Sequence, residues 1–305
     1  MRDLKTVIIG QDHLIEGVCI ALVSSGHVLL EGPPGVGKTR MINAISRGVN
    51  LNLKRLQCTP DLMPQDIIGG SQLIEDQKGP RLQLVKGPIF THLFFADELN
   101  RANPRTQSAL LEAMAERQVS LEGETYPLPD PFIVLATQNP IEIEGTYPLP
   151  EAQADRFLFK LKIDHPSADA LSQILDLNPQ DSLETVRPHL SQEDLVWARQ
   201  MVHSIQVSPS LKQHVIDLVL LTRPSQKHAD LYLEDGISPR GAQSLLLAMK
   251  ARAFLKGRLY TNEEDLTWCI FPSFRHRLRL QWQAKAQGIY ADKIIQNLLE
   301  QGGCI

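Results

Sequence analysis

Hydrophobic residues in the first half of the chain come in short blocks. HVLLEG (27–32), NLKRLQC (52–58), THLFFADE (91–98), PFIVLATQN (131–139) and FLFKLKID (157–164) are each rich in leucine, β-branched or aromatic residues. Runs this short, alternating with stretches of helical spacing, predict buried strands of a parallel sheet in an α/β domain. Beyond Pro166 the pattern changes. Segments 191–204, 210–222, 239–256 and 262–271 set apolar residues three and four positions apart, which predicts amphipathic helices. Ser191 ahead of Glu193 and Asp194, and Thr261 ahead of Glu263 and Glu264, predict helix N-termini with acidic first turns. The polar stretch 165–190, with Pro166, Pro179 and Pro188, reads as a linker. The predicted organisation is an α/β domain over 1–164, that linker, and a smaller helical domain over 191–305.

Two stretches fit neither pattern. Residues 60–90 hold Pro60, Pro64, Gly69, Gly70, Gly79, Pro80, Gly87 and Pro88, too many breakers for one continuous helix. Residues 117–130 (RQVSLEGETYPLPD) alternate around Gly123, which predicts a hairpin. Plain surface loops would also account for both, although long structured loops in a compact domain are commonly functional.

Composition narrows the class. A chain of 305 residues corresponds to two domains at about 150 residues each. With 43% hydrophobic and 22% charged residues it has the make-up of a folded globular protein and excludes a disordered one. The apolar stretch Val18–Leu30 is interrupted by Ser24, Ser25, Gly26 and His27, so no membrane insertion is expected. MRDLKTVIIGQDH lacks the apolar core of a secretory signal. Thirty-one basic against 35 acidic residues give a formal charge of −4, without the basic excess of a nucleic-acid holder. Cys19, Cys58, Cys269 and Cys304 have neither disulfide-framework nor zinc spacing. A soluble, reduced, cytoplasmic protein is expected.

The chemistry begins at GPPGVGKT, residues 32–39, which satisfies G-x-x-x-x-G-K-[ST] between a strand-like and a helical segment. In Gly32, Pro33, Pro34, Gly35, Val36 and Gly37 the glycines let backbone N–H groups wrap phosphates at the positive end of a helix. Lys38 reaches the β- and γ-phosphates, and the Thr39 hydroxyl holds Mg²⁺. Asp97 and Glu98 close a hydrophobic run, where the chain bends and both acids can enter the crevice above a sheet. Asp97 suits the metal and Glu98 suits the general base for a water. A doubled acid also separates hydrolases from small-molecule kinases, which need no water-activating base.

With these motifs the chain resembles an AAA+ ATPase, and within that group the MoxR subfamily. The matching text is TPDLMPQDIIG (59–69), ADELNRANPRTQSALLEAMAERQVSLEGETYPLPDPFIVLATQNPIEIEGTYPLPEAQADRF (96–157) and GISPRG (236–241). The resemblance implies a parallel sheet of strand order 5-1-4-3-2 followed by a smaller all-α lid, with ATP or ADP and Mg²⁺ as ligands. It implies that Asn139 faces the γ-phosphate as sensor 1; read alone, Asn139 is a turn residue before Pro140. Arg156, in EAQADRF, resembles an arginine finger that reaches a neighbouring subunit, although Ala154 stands where the family usually carries a larger apolar residue. Arg101 and Arg105 also flank the acid pair and are alternative fingers. Arg240 matches sensor 2, and Gly10 and Gln11, after Ile8 and Ile9, resemble the adenine-contacting turn. Stretches 60–90 and 117–130 resemble the helix-2 insertion and the hairpin before sensor 1.

The resemblance further implies a ring, hexameric in this family, acting like a chaperone on protein clients that include von Willebrand factor A domain proteins. Two alternatives belong to other classes. A helicase-like nucleic-acid motor is opposed by the negative charge, and a non-hydrolysing nucleotide switch by the full catalytic set. PSFRHRLRLQW (272–282), with Arg275, His276, Arg277, Arg279 and Trp282, could touch nucleic acid, but a solvated helix face is the favoured reading given the acidic total.

Overall fold

The structure is a computed structural model that describes residues 2–76, 79–140, 145–176, 185–224 and 232–301. Its opening helices are α1 (Arg2–Val7) and α2 (Asp12–Ser24). There follow β1 (Val28–Glu31), α3 (Lys38–Gly48), β2 (Leu53–Gln57), α4 (Pro64–Ile68), β3 (Gly69–Asp76), β4 (Gly79–Lys86) and β5 (Leu93–Asp97). After a 3₁₀ turn at Leu99–Arg101 come α5 (Pro104–Glu116), β6 (Gln118–Leu121), β7 (Glu124–Pro127), β8 (Ile133–Gln138), α6 (Glu151–Ala154) and β9 (Phe159–Lys162). The five predicted strands are thus β1, β2, β5, β8 and β9. They form one sheet in the order β2-β5-β8-β1-β9. The pairs β2/β5, β5/β8 and β1/β8 are parallel.

Burial explains the compositions. Every residue of β5 is buried, as are Ile133 to Thr137 of β8, because strands in the middle of a parallel sheet are covered on both faces. Edge strand β2 carries Lys54 and Arg55 in exposed positions, where charge discourages pairing with another chain. His27, at the head of β1, is buried: its Nδ1 accepts from the Val134 N–H at 2.9 Å and its Nε2 lies 3.2 Å from the Met114 carbonyl oxygen. That pairing requires the neutral ring with the proton on Nε2. Burial, with the Arg117 charge, pushes the His27 pKa down to about 4.

The two odd stretches are built structures. Pro64 sits in the first turn of α4 and Gly69 closes it, and the chain then turns back on itself as the antiparallel pair β3/β4. Residues 118–127 form the predicted hairpin, with Glu122 and Gly123 both at positive φ (51° and 83°), as a tight two-residue turn requires.

The stretch expected as a linker contains a helix, α7 (Ala168–Asp176); Pro179 and the rest of 177–184 lie outside the described residues. The predicted C-terminal helices are α8 (Gln192–Ser204), α9 (Pro209–Leu221), α10 (Pro239–Leu255) and α11 (Glu263–Phe274). A small ladder pairs β10 (Leu233–Asp235) with β11 (Arg279–Leu280), and α12 (Trp282–Ala286) and α13 (Ala291–Gln301) complete the chain. Ser191 forms the predicted cap, accepting from the Asp194 N–H at 3.1 Å. The cap of α11 is Asn262 and not Thr261. The Asn262 side chain accepts from the Asp265 N–H, while Thr261 is buried and bonds to the Gln206 backbone.

By internal packing the chain divides into two units. The first comprises Met1–Glu16, His27–Leu149 and Lys162–Leu195; the second comprises Gly17–Gly26, Pro150–Leu161 and Val196–Ile305. Leu245, Ala248 and Met249 of α10, Leu266 and Ile270 of α11, and Ile295 and Leu298 of α13 make the core of the second. A buried ion cluster lies among them, with Asp265 accepting from Arg252 at 2.8 Å and from Arg258 at 2.6 Å. Among the described residues no helix is long and apolar enough to cross a membrane.

Candidate active site

The phosphate loop spans the gap between β1 and α3 as predicted. Gly35 and Gly37 adopt φ of 81° and 83°, a region that penalises any Cβ, and an added Cβ at either would meet nothing within 4 Å. The glycines are therefore needed for backbone direction. Gly37 caps α3 without a side-chain bond, having no side chain to offer the first turn of the helix. Lys38 Nζ donates to the Gly32 carbonyl at 2.8 Å, which folds the ammonium back along the loop. Thr39 follows it, half-buried.

Asp97 is the last residue of β5, and β8 separates that strand from β1. Its carboxylate is buried and engaged on both oxygens: Oδ1 accepts from Thr137 Oγ1 and Oδ2 from Arg55 Nη2, each at 2.7 Å. Glu98 occupies the left-handed region (φ 57°, ψ 50°), uncommon for a residue with a side chain and costing about 1–2 kcal/mol. Its N–H donates to the same Thr137 oxygen at 2.7 Å. Glu98 Oε2 accepts from Gln57 Nε2 at 2.9 Å and from Arg101 Nη1 at 3.0 Å. One buried hydroxyl thus holds both halves of the acid pair.

Thr137, Arg55 and Gln57 are contacts of the acid pair that the sequence reading missed. The available signal was strand periodicity. Thr137 lies two residues before Asn139 in β8, and Arg55 and Gln57 alternate along β2, where Gln57 pairs with Asp97 in register. Cys58 lies beside them, its N–H donating to the Asp97 carbonyl at 2.8 Å. Burial, with the Asp97 and Glu98 charges, pushes its thiol up to about 12, which leaves it unreactive.

Asn139 follows β8 directly and is buried. The loops around it are knitted by two amides. Asn100 Nδ2 donates to the Asn139 carbonyl at 3.4 Å, and Gln107 Nε2 donates to the carbonyls of Leu99, Ala102 and Tyr147.

A cavity of about 540 Å³ adjoins the phosphate loop, lined by Val7, Ile8, Ile9, Gln11, Pro34–Gly37, Arg40, Met41, His165, Pro166, Leu171 and Ile174. Helix α7 is one wall. Gly10 (φ 74°) packs close to α7, since a Cβ there would lie 2.8 Å from that of Ala170. Gln11 donates through Nε2 to the Asp164 carbonyl at 3.0 Å, while its buried Oε1 has no hydrogen-bond partner. A mostly apolar slot with one unpaired acceptor, opening on the glycine-rich loop, fits a purine bearing an exocyclic amine and a phosphate chain.

Arg156 and Arg240 belong to the second unit. Arg156 is half-buried just after Asp155, and Arg240 is exposed in the first turn of α10. Arg101 is committed to Glu98 and Arg105 is exposed on α5. The basic run 272–282 is not the solvated helix face expected. Arg277 is buried against Asp155 at 2.6 Å, Arg275 bonds Asp292 at 3.0 Å, and His276 is held by the Phe157 carbonyl. The cause is local: α11 ends at Phe274, and the following turn directs these side chains into the carbonyl-rich segment 155–160.

A phosphate loop on one strand, an acid pair two strands away, a polar residue ending the strand between them and a helical second unit define a P-loop ATPase of the AAA class. Comparison with known proteins agrees. Residues 27–159 match the ATPase family associated with various cellular activities (AAA), and residues 225–298 match the AAA lid domain. The chain is 40% identical to the Bacillus subtilis protein YeaC over 98% of its own length and 92% of the relative's. It is 39% identical to the chaperone MoxR1 of Mycobacterium tuberculosis, covering 98% of this chain and 79% of that one. A crystal structure from Cytophaga hutchinsonii, assigned as an ATPase, superposes with a TM-score of 0.88 at 37% identity, covering 98% of this chain and 92% of the other. The chain belongs to the MoxR family of AAA+ ATPases and is an ATP hydrolase.

Proposed function

We propose that the chain hydrolyses ATP with Mg²⁺, assembles as a six-membered ring, and uses the cycle to remodel or mature protein partners in the cytoplasm. The observation that carries the catalytic part is the shared Thr137 hydroxyl, which lies on the strand next to the one that ends in the phosphate loop and holds both Asp97 and the left-handed Glu98. Thr39 and Asp97 would hold the metal, whose charge offsets that of the phosphates. Lys38 binds the β- and γ-phosphates, Gly10 and Gln11 meet the adenine, and Glu98 takes the proton of the attacking water. Asn139 orients that water. Arg156 of one subunit stabilises the transition-state charge at its neighbour, with Arg101 and Arg105 as the next candidates. Arg240 contacts the nucleotide from the lid and ties lid position to phosphate state. The working domains are 1–164 and 191–305, joined by 165–190.

The chaperone name of MoxR1 supports the client reading, and von Willebrand factor A domain proteins are the first partners to test. The nucleic-acid motor gains nothing from 272–282, because Arg275 and Arg277 are spent on internal acceptors. In steady-state assays Glu98→Gln should bind ATP as the parent does while losing about 10²-fold or more in turnover. Lys38→Ala should lose much of the binding as well. Glu98→Gln hydrolysing at the parent rate would sink the assignment of the base.

A further inference from the structure

Arg277, in the second unit, lies outside the motifs quoted from the sequence, yet among the described residues it is one of the most heavily hydrogen-bonded side chains. Arg277 has only 2% of its side chain exposed. Its Nε donates to Asp155 Oδ1 at 2.6 Å, and its Nη2 donates to the carbonyls of Asp155 at 3.0 Å and Phe157 at 2.7 Å and to Ser244 Oγ at 3.2 Å. Its Nη1 donates to the carbonyls of Leu158 and Ser273. Three peptide carbonyls of the segment 155–158 therefore converge on one guanidinium, and Arg156 lies between the first two of them.

The same group meets the start of α10. Asp155 Oδ2 accepts from Ser238 Oγ at 3.2 Å, and Ser238 Oγ caps the helix by accepting from the Gly241 N–H at 3.0 Å. Arg240 lies between Ser238 and Gly241. A Cβ on Gly241 would approach Arg277 Cδ to 3.0 Å, so the first helical turn rests on the stem of Arg277. Burial lowers the Arg277 pKa; Asp155 opposes the shift and the Arg240 charge adds to it.

We propose that Arg277 is a positioning residue for ATP hydrolysis, fixing the turn that presents Arg156 and tying it, through Asp155 and Ser238, to the helix start that carries Arg240. The proposal rests on the assignment of Arg156 as finger and Arg240 as lid sensor. The need for arginine follows from its planar fork, which addresses several acceptors in one plane. A lysine ammonium offers three donors at one point and leaves carbonyls of this turn unpaired. Because the charge is buried, its acceptors are held within a narrow geometry, and the two flanking arginines inherit a fixed spacing.

The test uses the full-length protein at a concentration where it is assembled. Arg277→Lys should lower kcat at least about ten-fold and shift nucleotide Kd by far less, since a displaced finger weakens transition-state contacts and Arg240 is one of several groups that meet the nucleotide. In an Arg156→Ala background the added Arg277→Lys should change kcat by much less than about ten-fold, because the part of its effect that runs through Arg156 is already lost and only the part through Arg240 remains. Thermal unfolding of each variant separates misfolding from misplacement. Asp155→Asn, which keeps size and removes the facing charge, is read by the same criteria if Arg277→Lys does not fold. A folded Arg277→Lys or Asp155→Asn at parental kcat overturns the proposal, and so does full multiplication of the two effects in the double variant. Arg156→Ala at parental kcat marks a different failure, that of the finger assignment itself.

Discussion

Thr137→Val isolates the hydroxyl that joins the acid pair while keeping a β-branched side chain of the same shape in β8. Two bonds disappear. The charge-assisted one to Asp97 contributes about 1.5–3 kcal/mol, and leaving the part-buried Glu98 N–H without an acceptor costs about 1–3 kcal/mol. If Glu98 then relaxes from its left-handed conformation, about 1 kcal/mol of strain is released against those losses. The net loss of stability is about 3 kcal/mol, readable as a lowered denaturant midpoint at unchanged slope. Relaxation also moves the Glu98 carboxylate, and a displacement of about 1 Å at a catalytic group costs about 10²-fold in kcat. ATP affinity should hold, because the phosphate loop does not use Thr137. Thr137→Ser, which keeps the hydroxyl, should recover most of both losses. Parental kcat and a midpoint within error in Thr137→Val would refute the argument that this hydroxyl holds Glu98 in place.

Two other predictions address pH and assembly. The folded His27 pKa of about 4 lies below the ordinary 6.5, so between those values the unfolded chain binds the extra proton and stability falls as pH falls. The contribution is complete above pH 6.5, and about 3 kcal/mol of stability is lost once pH has dropped through 4. His276, also pushed down by burial, acts in the same direction. His27→Gln can satisfy the Val134 N–H and the Met114 carbonyl without titrating, so denaturation of that variant between pH 6.5 and 4.5 should show a slope smaller by about one proton; an unchanged slope would remove His27 from the account. For assembly, mixing the inactive Glu98→Gln and Arg156→Ala variants should restore part of the ATPase activity, because some boundaries then join an intact Glu98 to a neighbour's intact Arg156. Mixed rings verified by mass that stay inactive would count against a finger acting in trans.

Local chemistry made much of the protein legible from its sequence. The phosphate loop could be read because its demands are contiguous: glycines where the backbone takes positive φ, then lysine and threonine on the first helical turn. The central strands were legible because strands in the middle of a parallel sheet are mostly apolar, as in Leu93–Asp97 and Ile133–Gln138. The hairpin at 118–127 announced itself through Gly123, and the acid pair through its place at the end of a hydrophobic run. What remained hidden was decided by contacts between distant segments. Thr137 reaches Asp97 across 40 positions, and Arg277 reaches Asp155 across 122. A threonine in a strand and an arginine after a helix carry no local mark of such partners, since each is also an ordinary residue for its place. Helix α7 was read as linker because its stretch is polar and rich in proline, whereas packing within the first unit makes it a helix and a wall of the cavity beside the phosphate loop. The run around Arg277 shows the same division: its charge was visible in the sequence, but whether that charge met solvent or carbonyl oxygens depended on where the chain turned after Phe274.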